Sequence, residues 1–441
     1  MAAKFHHFGV PTATKQEGET YLEGGKVYIT DPEKHPYRVE FVRCEPDSPM
    51  PDVIKTKPHA AYVVSSIEEA MKGKPVVLQP FDATPTCRVA FIMDGDSLIE
   101  LMQLKEEKSG MKKFVNNPEN LVSELLQGFA IANAGKIKVV KDGIVCRAKA
   151  KSKSKVAVVT LGGSGHEPAL SGMVGQGLLD ISVAGGIFAA PGAPKVLEAL
   201  KMMKRDAGIL LVVLNHSGDV LCANMVKPMA EAEGIKITQV LTHEEIDVIK
   251  GEKSEEGRGL AGCLFVYKIA GAAAEAGKPL EEVARIAEKI NANMATVAIA
   301  SNGCTHPSTG QVIAEIGPED YVIGMGQHGE AGGITEKNIT ADRAADIMLN
   351  KLMQALSIKE GEKVLLMVNG VGSTTLMEQY CVVNACKKIL DAKKVTLART
   401  LVGEYLTVQE MGGFQMCLAR MDDELLEMWD ASCNSPALTV K

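Results

Sequence analysis

The run Val156-Ala157-Val158-Val159-Thr160 feeds directly into Leu161-Gly162-Gly163-Ser164-Gly165-His166-Glu167-Pro168, and this junction constrains the fold more than any other stretch. Small and β-branched apolar residues in succession, without polar alternation, read as a strand buried on both faces, the mark of a parallel sheet. The glycines that follow let the backbone turn sharply and bring bare N–H groups against a small polar ligand. His166 puts a group that titrates near neutral pH at the carboxyl end of that strand.

Strands and helices alternate around this junction. Apolar runs predict strands over 156–161, 209–214 and 236–241, and helical spacing predicts helices over 194–204, 225–233, 260–276 and 280–291. Asn117-Pro118 opens an earlier helix, with Leu121, Leu125 and Phe129 on one face. Such an order predicts an α/β fold, a parallel sheet covered by helices. Strands at 363–368, 395–401 and 414–420 predict a second lobe. The expected division is a first domain over 1–104, a charged linker over 105–113, a lobe with the pocket over 114–340 and a second lobe over 341–441. The 42 glycines and the 4% aromatic share suit many tight βα turns.

A net charge of −7 gives no electrostatic reason to expect nucleic acid or an anionic membrane. No apolar run is long enough to span a bilayer, and the start lacks the regions of a signal peptide. The ten cysteines form no CxxC pair and sit mostly in apolar runs, for example Cys263, Cys381 and Cys417. They are expected to be reduced core residues of a cytoplasmic protein.

Residues 1–104 have a different texture, with short strand-like runs separated by Gly, Pro and Asp turns and one clear helix N-capped by Ser66. A faint repeat runs through them. His7 leads to Glu40, and His59 leads to Glu100, each half starting with a His on a strand and ending with a Glu on a strand. Two imidazoles and two carboxylates on adjacent strands suit a divalent metal (Zn, Mn, Fe or Ni) with positions left open for substrate oxygens. A metal there would stabilise an enolate by charge neutralisation. His6 competes with His7 as the first ligand. The half-repeat resembles the vicinal oxygen chelate, or glyoxalase-like, superfamily, which implies a small α+β domain of βαβββ type.

In the larger part, three loops at strand ends carry the polar chemistry. These are 162–168 with His166, then Leu214-Asn215-His216-Ser217-Gly218-Asp219, then Gly324-Met325-Gly326-Gln327-His328-Gly329-Glu330-Ala331-Gly332. Ligands of open α/β sheets settle outside the carboxyl ends of strands, so the loops are expected to converge on one pocket. Two histidines and an aspartate would supply a nucleophile, a general acid and a general base. His216, His243, His35 and His306 read as structural. No GxxxxGK[ST] and no GxGxxG opening a Rossmann unit occur.

GGSGHEP, N-x-S-G-D and G-x-G-x-HGE-x-G, with GLAGCLFVYKIAGAAAE between the last two, strongly resemble the substrate-binding subunit of dihydroxyacetone kinases, from about residue 112 to Leu438. The resemblance implies a two-lobed kinase-like α/β domain and a homodimer, to which apolar surface on the Ala-rich helices also points. It implies that His328 bonds the substrate carbonyl carbon as a hemiaminal. His166 and Asp219 would hydrogen-bond the hydroxyl that receives the phosphoryl group, with Asp219 as base. Gly162, Gly163, Ser164, Asn215 and Gly218 would complete the substrate contacts.

Departures from the pattern matter as much. Leu214 stands where the family has a lysine, Gly186, Ala189 and Ala190 where it has Glu, Thr and Ser, and Cys222-Ala223-Asn224 where it has Asn-Phe-Glu. A less polar, roomier pocket is expected, suiting a ketose or aldose of four or more carbons. With Lys441 as the last residue, the nucleotide is expected on a separate L-type kinase partner. Three readings stay open: a sugar-binding kinase subunit, a sugar or sugar-phosphate isomerase or epimerase, and a non-catalytic sugar sensor.

Overall fold

The computed structural model describes residues 3–84, 86–104, 110–141, 143–330 and 332–441. They fall into two compact units, Met1–Ser109 and Gly110–Lys441. Residues 105–109 of the expected linker, and Ala331 of the third loop, lie outside the described residues. Met111 belongs to the second unit, where its N–H donates to Thr305 Oγ1 at 2.7 Å.

The first unit is one eight-stranded sheet. Its elements are β1 (Lys4–Pro11), β2 (Thr20–Leu22), β3 (Val27–Ile29), β4 (Val39–Cys44), α1 (Asp52–Thr56), β5 (His59–Val63), α2 (Ile67–Ala70), β6 (Val76–Thr84), β7 (Cys87–Asp94) and β8 (Ser97–Leu104). The strand order is β2-β3-β4-β1-β5-β8-β7-β6. β1 runs parallel to β4, β5 runs parallel to β8, and β1 meets β5 antiparallel. The two halves are thus related by a local two-fold, as the repeat in the sequence anticipates. Ser66 caps α2 by accepting from the Glu69 N–H.

The second unit stacks helices and sheets in alternating layers. Its first sheet contains β9 (Ile137–Val140), β10 (Ile144–Arg147), β11 (Ala157–Ser164), β12 (Ile181–Ile187), β13 (Ile209–Leu214) and β14 (Ile237–Thr242), in the order β14-β13-β11-β12-β10-β9. The four strands β11 to β14 are parallel, and β9 and β10 add an antiparallel edge. Their apolar runs are buried on both sides, as a doubly covered sheet requires. Val159, Leu161, Leu211 and Val213 pack on one face with α4 (Ala193–Met202) and α5 (Ser217–Ala232). Val158, Leu210 and Val212 pack on the other with α6 (Cys263–Glu275) and α7 (Leu280–Ala292).

That second core also takes in Leu365, Met367, Cys417 and Ala419, so α6 and α7 are sandwiched between two sheets. The second sheet's far face packs on α8 (Ala341–Ala355) and α9 (Leu376–Ala392). Every residue of α6 except Glu275 is buried inside the unit. The apolar surface of this Ala-rich helix is therefore spent internally and gives no reason for a homodimer.

Further expectations change. The second sheet holds Met294–Asn302, Asp320–Ile323 and Ile334–Lys337 as well as Lys363–Gly370, Thr396–Gly403 and Gly412–Arg420, so residue 340 is not a boundary between sheets. It is mostly antiparallel, with Lys363–Gly370 and Thr396–Gly403 as the one parallel pair. Apolar runs alone do not reveal strand direction. α5 starts at Ser217 rather than 225, because polar Ser217, Gly218 and Asp219 form its first turn. Cys381 is exposed on α9, whereas Cys263 and Cys417 are buried as expected.

One buried charge network fixes the edge of the first sheet. The Asp180 carboxylate accepts from Arg147 Nη1 at 3.0 Å, from Lys151 Nζ at 2.8 Å and from the Val158 N–H at 2.9 Å. Burial holds the Lys151 ammonium below its usual range despite this pairing. Asp180→Ala would leave Lys151 buried and unpaired, and is expected to cost about 3–5 kcal/mol, measurable as a lower urea midpoint.

Candidate functional site

Three loops of the second unit meet in a cavity of about 190 Å³. Gly162, Gly163 and His166 come from the end of β11, and Leu214, His216, Gly218 and Asp219 from the end of β13 and the first turn of α5. Gln327, His328 and Glu330 come from the loop after Asp320–Ile323. The loops converge as expected, but from two different sheets. Phe188, Ala189, Ala190 and Leu406 close the cavity.

Glycine is needed where neighbours crowd the backbone. A Cβ on Gly163 would lie 2.8 Å from the Ala189 backbone nitrogen, and one on Gly326 would fall 2.1 Å from both Arg258 Nη1 and Glu330 Oε2. The spacing of the third motif is thereby explained, since Gly326 clears the space in which Arg258 and Glu330 approach each other at 3.4 Å.

His166 and His328 form a hydrogen-bonded chain. His166 Nδ1 lies 2.8 Å from the Thr407 carbonyl oxygen, which only accepts, so Nδ1–H is the donor and Nε2 carries a lone pair. That Nε2 is 3.2 Å from His328 Nε2. His328 Nδ1 in turn faces Glu330 Oε1 at 3.2 Å, and the His328 backbone N–H donates to Glu330 Oε2 at 2.8 Å. The pattern assigns a proton to each nitrogen of His328, one donated to Glu330 and one to His166.

The electrostatics follow. Burial pushes Glu330 up, but its bonds with His328 and the backbone outweigh this and hold the carboxylate at about 2. Burial, reinforced by His328, pulls His166 down to about 3, so it rests neutral. Burial raises Asp219 to about 7, with His328 working weakly against it. Asp219 Oδ1 is buried without a hydrogen-bond partner, an acceptor reserved for something that enters.

Not every expected contact is there. Ser164 turns away and donates to the Gly185 carbonyl, and Asn215 clamps the Gly257 carbonyl at 2.7 Å. Neither lines the cavity, since both side chains are consumed in holding loops together. Among the departures, Leu214, Ala189 and Ala190 line it; Cys222 and Ala223 face the α4–α5 core instead, because α5 begins early and turns them inward. His216, read as structural, lines the cavity with its ring 5.2 Å from that of His328. Its Nε2–H points to the Gly259 carbonyl at 2.8 Å and also lies 2.9 Å from Gln327. Phe188 was not anticipated at all. It adopts φ 53°, rare for a bulky residue, and sets its ring 4.9 Å from His166 and 5.7 Å from His328. His35 and His306 accept backbone N–H bonds in loops, as structural residues do.

In the first unit, His7, Glu40, His59 and Glu100 place one donor atom each within 4.8 Å of the others. The register explains this convergence. Gly9 on β1 pairs with both Glu40 and His59, and Ala61 on β5 pairs with both His7 and Glu100. The smallest side chains thus stand between the donors, and a Cβ on Gly9 would lie 2.0 Å from the His59 ring. His7 Nε2 is 3.4 Å from Glu40 Oε2 and 3.3 Å from Glu100 Oε2, and His59 Nε2 is 3.2 Å from Glu100 Oε2. None of these approaches is aligned as a hydrogen bond: His7 Nε2, both His59 nitrogens and Glu100 Oε2 are buried without such a partner. Donors aimed at a common point rather than at each other fit a metal ion. His6 is not among them; its Nδ1 is 2.8 Å from His7 Nδ1, on the side away from the cluster.

Residues 127–437 match the Dak1 domain, and the chain belongs to that family. It is 36% identical over 314 residues to the PTS-dependent dihydroxyacetone kinase 1, dihydroxyacetone-binding subunit DhaK, of Listeria innocua, covering 71% of this chain and 95% of that one. To the L-erythrulose kinase of Pectobacterium atrosepticum it is 32% identical over 331 residues, 74% of this chain and 56% of that one. Among solved structures, the dihydroxyacetone kinase operon co-activator DhaQ superposes with a TM-score of 0.68 at 27% identity, covering 72% of this chain and 98% of that one. The dihydroxyacetone kinase of C. freundii gives a TM-score of 0.68 at 26% identity, covering 75% and 60%. Among the described residues, no helix is long and apolar enough to cross a membrane.

Proposed function

We propose that the second unit is the sugar-binding subunit of a dihydroxyacetone-kinase-type phosphotransferase, with the nucleotide supplied by a separate L-type partner. The observation that carries this reading is the His166–His328–Glu330 chain set in one cavity with the unpartnered Asp219 carboxylate. As a ketose carbonyl approaches, the Nε2 proton of His328 passes to His166 Nε2. The freed lone pair bonds the carbonyl carbon, the C=O π pair moves to oxygen, and that oxygen takes the proton from His166. The product is a hemiaminal whose imidazolium is paired with Glu330, and no water is lost. Asp219 then accepts the proton of the hydroxyl that receives the phosphoryl group. Covalent capture fixes a small flexible substrate, and phosphoryl transfer depends chiefly on such positioning.

Leu214, Ala189 and Ala190 leave the wall without a cation or hydroxyl, while Phe188 and Leu406 limit its depth. A ketose of three or four carbons suits that space. Mixing the chain with a nucleotide-bearing L-type partner tests the reading: phosphorylated ketose should form only when both are present. Turnover by the chain alone without nucleotide would favour the isomerase instead, and tight binding with no turnover in either condition the sensor.

For the first unit we propose a vicinal oxygen chelate domain in which His7, Glu40, His59 and Glu100 hold Zn, Mn, Fe or Ni. A metal bound there supplies Lewis-acid stabilisation of developing negative charge on substrate oxygen. Gly9→Ala is expected to push the His59 ring aside and abolish stoichiometric metal uptake, read by elemental analysis of the purified chain, while the second unit keeps its sugar binding.

A further inference from the structure

Directly over the four donor residues of the first unit lies a cavity of about 370 Å³, roughly twice the sugar pocket. Its walls are aliphatic and aromatic, with Leu22, Val42, Ile54, Phe81, Phe91 and Met102 among them. No lysine or arginine is among the described residues that line it. Apart from the four donors, its charged side chains are Glu23 and Asp82, both acidic. A phosphate or carboxylate entering there would leave water for an apolar wall without a compensating cation, at high cost. A ketose would bury hydroxyls against side chains that cannot pair with them.

The donors themselves set the other requirement. Four protein ligands of a six-coordinate ion leave two positions. All four side chains rise from one face of the four adjacent strands β4, β1, β5 and β8, so the protein occupies one side and the cavity the other. We infer that this cavity takes an uncharged, mainly apolar molecule carrying two adjacent oxygen donors, and that it does not take the sugar or sugar phosphate of the second unit. The inference rests on the metal reading above.

The full chain, loaded with redox-inert Zn²⁺, is titrated with 4-tert-butylcatechol by calorimetry, in the presence and absence of dihydroxyacetone phosphate. The catechol should bind the loaded chain at least about tenfold more tightly than the metal-free chain or Glu100→Gln. Dihydroxyacetone phosphate at about tenfold excess should leave it bound. Displacement by an equal concentration of dihydroxyacetone phosphate, or equal catechol binding with and without metal, would overturn the ligand class. Zn²⁺ uptake without catechol binding would overturn it too, leaving the metal reading standing, whereas failure to take up Zn²⁺ would overturn both.

Discussion

His328→Ala should eliminate the covalent sugar complex and lower kcat/KM for phosphorylation by about a thousandfold or more, with little change in stability. The size of the effect follows from what the covalent bond supplies. A ketose held only by hydrogen bonds keeps most of its rotational freedom, whereas one bonded through a fixed imidazole presents its hydroxyl at high effective concentration. The stability should hold because the His328 side chain is 28% exposed, and its loss leaves Glu330 still near Arg258. Native mass spectrometry reads the complex directly. The wild-type chain should gain the full mass of one ketose, whereas a Schiff base on a lysine would gain that mass less one water. Persistence of the full-mass complex in His328→Ala would place the bond elsewhere.

The Asp219 carboxyl is expected to govern the pH profile. Its value near 7 results from burial, so activity that needs the carboxylate as base should rise with pH through about 7 and be lost below it. Asp219→Asn should remove this ionisation and lower kcat by about 10²–10⁴-fold. Stability moves the opposite way. An acid whose folded value lies above its unfolded value, near 3.9, holds extra protons in the folded state between the two. Stability from this group is therefore greatest below about pH 4, falls as pH rises, and is lost above about 7, by roughly 4 kcal/mol at most. Asp219→Asn should accordingly melt higher than wild type at pH 8 and show no gain at pH 4. A pH profile left unchanged by the substitution would remove Asp219 from the base role.

The motifs that carry chemistry were legible because they sit in glycine-rich turns whose spacing admits few alternatives. His166, His328 and Asp219 reach one cavity, and His7, Glu40, His59 and Glu100 reach another, since strand register fixes which residues face each other once the strands are placed. Contacts across sheets were not legible. His216 lines the pocket only because a loop from the second sheet arrives beside it. Phe188 enters through a left-handed backbone that its residue type disfavours. Ser164 and Asn215 lie within the right motifs yet spend their hydrogen bonds on neighbouring loops, a choice set by tertiary packing. The same limit hid the second sheet's first strands, because an apolar run such as Met294–Asn302 does not announce its partners.

The bond between His328 Nε2 and the sugar is the claim on which the second unit's chemistry turns. Carbon-13 NMR of carbonyl-labelled dihydroxyacetone bound to chain carrying nitrogen-15 histidine tests it most directly. The labelled carbon should change from trigonal to tetrahedral and show one-bond coupling to a single imidazole nitrogen, both absent in His328→Ala. A bound carbonyl that stays trigonal, or coupling that survives that substitution, would contradict it.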